Sequence, residues 1–458
     1  MNDNIKQLLA RYHSLIDDAK AFEDCMAHPT PTCLTVNPLK TTPKAVINFL
    51  QKQNLEFQPL SWYPHSFRIE HWKKPGLTLP FVSGWYNLQE EIALTAVQTL
   101  DPQPQEYILD LCAAPGGKTV QIAQRLIGKG TVIANEMQAS RLSSLRAMLD
   151  RMGLSNVVTT NYDGRKIPLP NHSFDRILVD APCSGEGATR KAKSSQKAKD
   201  INYSLKIARR QRQLLDRALD LVKPEGIIIY STCTFAPEEN EAVIDAVLGN
   251  RGELESAEIP NLKGIPGLRH WEGQEFRQDL VKAQRYFPHF NNTGGFFVAR
   301  IRRNYVDLKP EISLPEDSET SSLKPLKDTS PLDWFMDRFG INPSIFSSYQ
   351  LWVKGKDKIW LGEKQCQPPP QILVQTLGMP LMRVGYKPTT AALQRFGSDI
   401  TCHVIKLEDW ESVQWFLQGK SQAVTSSASG YVHVRYGNYE LGCGLYKDGI
   451  LQSQIPKF

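Results

Sequence analysis

The feature that most constrains the fold is a regular alternation of apolar strands and amphipathic helices through the middle of the chain. EYILDLCAA reads as a strand, KTVQIAQRLIG as a helix ended by Gly128, and TVIANE as a strand. ASRLSSLRAMLDRMG is a helix with apolar side chains three and four apart. NVVTTNYD and FDRILVDAPC are further strands. IARRQRQLLDRALDLV is a helix stopped by Pro224, GIIIYSTCT a strand, PEENEAVIDAVLG a helix opened by Pro237, and FFVARIRR the last strand. Strands and helices in turn predict a parallel, doubly wound α/β sheet. Ligands of such sheets bind at the carboxyl ends of the strands.

The flanks divide the rest. Residues 1–77 mix helices with a short strand in CLTVNPLKTTPKAVINFLQ, a small α+β module. GWYNLQEEIALTAVQTL reads as an amphipathic helix opening the block 78–303. Residues 304–330, rich in Pro, Ser and charge, read as a linker. Residues 331–458 hold Trp334, Trp352, Trp360, Trp410 and Trp415 among short strand-like runs, and YVHVRYGNYELGCGLYKDGILQS looks like hairpins with glycine turns. That predicts one separate β-rich domain, whose tryptophans mostly fill a small core.

No apolar run approaches the ~20 residues of a membrane helix, and the first residues lack the plan of a secretory signal. The eight cysteines form no CxxC pair, which argues against a zinc site or a disulfide framework. Free thiols in a reducing cytoplasm fit better. Net charge is +6, but Arg190 to Arg212 holds nine Lys or Arg against Asp200 alone. Such a run is often only a solvated loop leading into a helix; beside a reactive site it also suits a polyanion such as RNA.

The first strand ends in DLCAAPGGKT, Asp110 to Thr119. Small residues and two glycines let a ligand approach the backbone and the helix N-terminus. The spacing is neither GxGxxG nor a Walker loop. The next strands end on Glu136, Asp163 and Asp180. Acids also cap strand ends and following helices. Three on successive strands beside the glycine turn point to a nucleoside-containing cofactor, and the missing phosphate fingerprint points from NAD and ATP to S-adenosylmethionine.

Cys183 and Cys233 also end strands on this side, each flanked by small polar residues. A lone cysteine is usually an inert small hydrophobe; two on neighbouring strands predict a shared pocket. The chemistry that needs a thiolate here is methylation of cytosine carbon 5, a poor nucleophile until a thiolate adds to carbon 6. An acid must support the charge at nitrogen 3, and Asp180 is placed to do so. Which thiol attacks stays open on these grounds.

DLCAAPGGKT, VDAPCSGEG, STCTFAPEENE and TGGFFVARIRR resemble, in order, the motifs of the Nol/Nop/Sun family of RNA cytosine-5 methyltransferases, over residues 25–303. The resemblance implies a Rossmann-like methyltransferase domain in which Cys233 is the nucleophile and Cys183 assists release. It puts the cofactor loop on Cys112, Ala113, Ala114, Pro115, Gly116, Gly117 and Lys118, with Glu136, Arg141, Asp163 and Asp180 completing the S-adenosylmethionine site. LTVNPLKTTP and a helix at Leu88-Gln89-Glu90 are similar to the family's N-terminal RNA-facing module, with Glu91-Ile92 in place of its usual small residues. MPLMRVGYKPT and ELGCGLYKDGILQSQIPK are similar to the PUA-like extensions of bacterial small-subunit rRNA enzymes in this family.

The expectation is an RNA methyltransferase forming 5-methylcytosine, with small-subunit rRNA the favoured substrate and tRNA next. It would be cytoplasmic and monomeric, with neither metal nor membrane partner. A flipped base would enter the pocket. The rival is a non-catalytic RNA-binding assembly factor, whose mark would be a lost motif cysteine. A small-molecule methyltransferase fits the basic stretch and the extra domain less well.

Overall fold

The computed structural model describes residues 3–190, 200–305, 323–355, 357–369 and 372–456. Helices α1 (Asp3–Tyr12) and α2 (Ala19–Met26) open the chain. A four-stranded sheet follows, built from β1 (Thr32–Val36), β2 (Phe57–Pro59), β3 (Ser66–Ile69) and β4 (Tyr86–Gln89) in the order β2-β3-β1-β4. Helix α3 (Pro43–Lys52) packs on it, with Thr42 capping its N-terminus and Pro43 in its first turn. Helices α4 (Leu79–Val82) and α5 (Leu94–Leu100) flank β4.

One expectation changes here. GWYNLQEEIALTAVQTL is not one helix: Tyr86–Gln89 is a strand and the helix starts at Leu94. Leu88 and Gln89, expected on a helix, pair with Leu34 and Cys33 of β1. Short apolar runs fit both periods, and the partner strand decides. The N-terminal sheet therefore reaches past residue 77.

The central block holds β5 (Tyr107–Asp110), α6 (Gly117–Arg125), β6 (Thr131–Asn135), α7 (Ala139–Met152), β7 (Val157–Thr160) and β8 (Phe174–Asp180). It continues with α8 (Ile201–Leu221), β9 (Val222–Thr232), α9 (Glu241–Leu248) and β10 (Gly252–Glu255). Short strands β11 (Ile265–Pro266), β12 (His270–Trp271), β13 (Gln274–Glu275) and β14 (Gln284–Tyr286), then α10 (Pro288–Asn291), lead to β15 (Phe296–Arg303). Strands β7, β6, β5, β8 and β9 are parallel neighbours in that order. Strand β15 runs antiparallel beside β9. This is the Rossmann-like, doubly wound arrangement expected. The chain winds to opposite sides from β5, so the crevice lies where β5 and β8 end. Of the basic stretch, residues 191–199 lie outside the described residues.

The C-terminal half differs more from expectation. Within the segment read as a linker, β16 (Leu323–Pro325) pairs with the strand that follows helix α11 (Ser330–Phe339). Strands β17 (Tyr349–Lys354), β18 (Lys358–Glu363), β20 (Met379–Arg383) and β21 (Lys387–Pro388) complete that five-stranded sheet. Between them β19 (Val374–Leu377) leaves to join the edge of the central sheet, antiparallel to β7. After α12 (Thr390–Arg395), a second five-stranded sheet forms from β22 (Val404–Lys406), β23 (Ser421–Ala423), β24 (Gly430–Tyr436), β25 (Tyr439–Lys447) and β26 (Ile450–Ser453), with α13 (Trp410–Leu417). Residues 331–458 thus contribute strands to two five-stranded sheets and, through β19, to the central sheet. Trp352 and Trp360 are buried as expected, whereas Trp410 and Trp415 are exposed. No helix among the described residues is long and apolar enough to cross a membrane.

Candidate active site

Asp110, at the end of β5, accepts a hydrogen bond from Thr119 Oγ1 at 2.7 Å. The turn between them is glycine-built for a local reason. Gly116 has φ of +116°, and a Cβ on Gly117 would lie 2.3 Å from Gln89 Oε1. The first turn of α6 has no side-chain cap, which leaves its N–H groups without a capping acceptor, and Gly117 and Lys118 of that turn line the crevice.

Asp180, at the end of β8, has both oxygens engaged. Lys118 Nζ donates to Oδ2 at 2.7 Å and Ser231 Oγ to Oδ1 at 2.8 Å. Burial lowers the Lys118 pKa, but the Asp180 charge and hydrogen bond outweigh it, and the ammonium is held above its ordinary range. Cys233 follows two residues after Ser231, and its sulfur stands 3.3 Å from that of Cys183. The Cys183 thiol is held well above its ordinary range by its hydrogen bond to Cys233, then by burial.

Two cavities meet at this point. One, of about 510 Å³, is lined by Asp110, Lys118, Asp180, Cys233 and Phe296. Of the expected cofactor loop, Cys112, Ala113, Ala114, Pro115, Gly117 and Lys118 face it; Gly116 does not. The other, of about 430 Å³, is lined by Glu136, Asp163, Cys183 and, on α8, Tyr203, Lys206 and Arg210. Cys112 and Arg141 line both. The two thiols thus open into different cavities across their own contact.

Glu136 is held by the Gln138 amide at 2.8 Å and by Arg141 at 3.4 Å, while Arg141 also donates to Ala114 O at 2.5 Å. Asp163 is already gripped by Arg165, whose hydrogen bonds pull its carboxyl below the usual range. The wall from Glu136 to Asp180 is rich in carboxylates. Asp110 Oδ1 is buried and has no hydrogen-bond partner among the described residues. Such a wall suits ribose hydroxyls and a cationic ligand, and the glycine turn leaves it room. These residues fit S-adenosylmethionine, a sulfonium bearing a nucleoside.

The sequence reading gave no role to Glu186, Glu239 or Gln211. Both acids stand inside quoted motifs, yet carry no charge signature of their own. Tyr203, Lys206 and Arg210 were read only as part of a basic stretch.

Residues 97–302 match the family model described as 16S rRNA methyltransferase RsmB/F. Residues 6–91 match the N-terminal domain of 16S rRNA methyltransferase RsmF, and residues 402–457 the methyltransferase RsmF PUA domain. Residues 316–378 match a family of unknown function. The tRNA (cytosine(49)-C(5))-methyltransferase of Pyrococcus abyssi is 34% identical over 65% of this chain and 96% of its own length. The ribosomal RNA small subunit methyltransferase F of Vibrio vulnificus is 28% identical over 100% of this chain and 98% of its own. A solved methyltransferase homolog from Pyrococcus horikoshii is 32% identical with a TM-score of 0.57, over 65% of this chain and 94% of its own. The chain spans only 35% of the mouse 28S rRNA enzyme and 51% of the fission yeast 25S enzyme that it also matches.

Proposed function

Since this chain belongs to the Nol/Nop/Sun family of RNA cytosine-5 methyltransferases, we propose that it forms 5-methylcytosine in small-subunit rRNA in the cytoplasm. The observation that carries the chemistry is the 3.3 Å sulfur pair beside the Lys118–Asp180 ion pair. The end-to-end likeness to small-subunit methyltransferase F, C-terminal sheet included, favours rRNA. The tRNA enzyme is more identical but aligns with only 65% of the chain, which keeps tRNA as the second reading.

Bound S-adenosylmethionine supplies an electrophilic methyl group on its sulfonium. Cys112, Ala113, Ala114, Pro115, Gly117, Lys118, Glu136, Arg141, Asp163 and Asp180 would hold it. The chain supplies the rest. The Cys233 sulfur bonds to cytosine carbon 6, and the pair of electrons moves to carbon 5, which takes the methyl group. Asp180 supports the proton or charge at ring nitrogen 3, and Lys118 keeps its carboxylate in place. The carbon-5 proton then leaves to a base, the carbon 5–carbon 6 double bond returns, and the Cys233 thiolate is expelled. Cys183, whose sulfur stands 3.3 Å from that of Cys233, assists that expulsion by giving it a proton.

Trapping tests this. Cys183→Ala, incubated with S-adenosylmethionine and total cellular RNA, should stay covalently bound to RNA. The bound RNA, once sequenced, names the substrate. The Cys183→Ala, Cys233→Ala double variant should trap none. A Cys233→Ala protein with normal methyl transfer would overturn the mechanism. Trapped tRNA in place of rRNA would overturn the substrate assignment.

A further inference from the structure

Behind the two thiols lie two buried carboxylates that the methyl-transfer steps do not use. Each comes from one thiol loop and bonds to the other. Glu186, on the Cys183 loop, accepts from Thr234 Oγ1 at 3.0 Å and from Phe235 N at 3.3 Å, the residues just after Cys233. Glu239, beyond Cys233, accepts from Ser184 N at 2.9 Å, the residue just after Cys183. Gln211 on α8 ties the same point, donating to Glu239 Oε2 at 3.1 Å and to Pro182 O at 2.9 Å. Both neighbours of Cys183 are thereby held. The Ser184 and Thr234 hydroxyls meet at 2.7 Å between the loops.

The two acids differ in compensation. Glu186 receives the Tyr12 hydroxyl at 2.8 Å and lies 3.8 Å from the Arg11 guanidinium. Glu239 is fully buried, forms no ion pair among the described residues, and its Oε1 has no hydrogen-bond partner there. A carboxyl without an ion-pair partner among the described residues therefore lies against the Cys183 loop.

We infer that Glu239 is a positioning residue that locks the Cys183 loop onto the Cys233 loop and so sets the division of labour between the two thiols. The attacking thiolate is thereby directed to Cys233. The Glu239 charge adds to the effects of Cys233 and of burial in raising the Cys183 pKa. The other titratable groups around Cys183 are Cys233 and Tyr230 on the β9 side, Tyr203, Lys206 and Arg210 of α8, and Cys112, Glu136, Arg141, Asp163 and Arg165 around the cavity. The α8 cations favour a thiolate, so Glu239 acts against them.

The inference rests on the methyltransferase reading only for what the thiols do. Its test needs neither RNA nor cofactor, so the two can fail separately. Initial rates of iodoacetamide alkylation at Cys183 and Cys233 would be read by mass spectrometry on the whole chain across a pH series. In Glu239→Gln the amide oxygen can keep both hydrogen bonds while the amide nitrogen takes the position of Oε1. The expected result is a Cys183 profile moved to lower pH, with about tenfold faster alkylation at a fixed pH for each unit of movement, and no matching gain at Cys233. A Glu239→Asp protein keeps the charge, so its Cys183 should react only at high pH, as in the wild type. An unmoved Cys183 profile in a Glu239→Gln protein of wild-type melting temperature overturns the inference. So does an equal shift of both thiols, the mark of a merely loosened structure. If the Gln variant does not fold, Glu239→Asp decides: a Cys183 profile moved to low pH there also overturns it.

Discussion

Asp110 ends β5 with one oxygen bonded to Thr119 and the other without a partner among the described residues. Burial pushes its carboxyl up to about 7, against the Thr119 hydrogen bond. In the unfolded chain an aspartate titrates near ~3.9. Between those values the folded state binds more protons, so the group's contribution to stability is full below about pH 4 and lost as pH rises through about 7. Asp110→Asn should therefore gain stability over the wild type at about pH 8, on the order of a few kcal/mol, and little at about pH 4. Urea unfolding at both pH values checks this; an equal difference at both would mean the carboxyl is not the cause. At this scale the sequence was informative about identity and poor about partners. That Asp110, Asp180, Cys183 and Cys233 lie at strand ends follows from the alternation alone. That Lys118 spans to Asp180, or that Arg165 occupies Asp163, depends on side chains from separate segments meeting.

The thiol loops meet through glycines. A Cβ on Gly187 would lie 2.3 Å from Gly295 O, and one on Gly295 would lie 2.1 Å from the Phe235 ring. Gly187 N also donates to Cys233 O at 2.9 Å. Gly187→Ala should part these loops, costing about 1–3 kcal/mol or more by overpacking, and abolish RNA trapping in the Cys183→Ala background. Thermal melting and gel-shifted adduct measure the two effects. Helix α1 reaches the same place, since Tyr12 packs edge-on against Phe235 and bonds to buried Glu186. Tyr12→Phe keeps the ring and removes the hydroxyl, so it should cost about 1–3 kcal/mol in denaturant unfolding. A loss near zero would mean that Glu186 finds another donor. The helices and strands were largely readable from periodicity. Strand β4 was not, because its pattern also fits a helix and only pairing with β1 decides.

The C-terminal half is built into the central block. Strand β19 extends the central sheet at β7, and Trp352, Trp360, Cys366, Ile372, Val374 and Leu377 share a core cluster with Leu109, Ile133 and Val158. A chain ended after Arg303 should expose the β7 edge and that apolar surface, and so aggregate on expression. A soluble 1–303 fragment with wild-type melting would show β19 to be dispensable. By itself the sequence determined the alternating α/β core, the acids and thiols at the strand ends, and the glycine turn. Those follow from local periodicity and from residues that few backbones tolerate. Only the tertiary structure decided the crossed carboxylates, the two cavities, the second C-terminal sheet and the merging of the C-terminal half with the central sheet. Each joins residues far apart in the chain, and no local pattern encodes a contact whose free energy comes from burying two distant segments together.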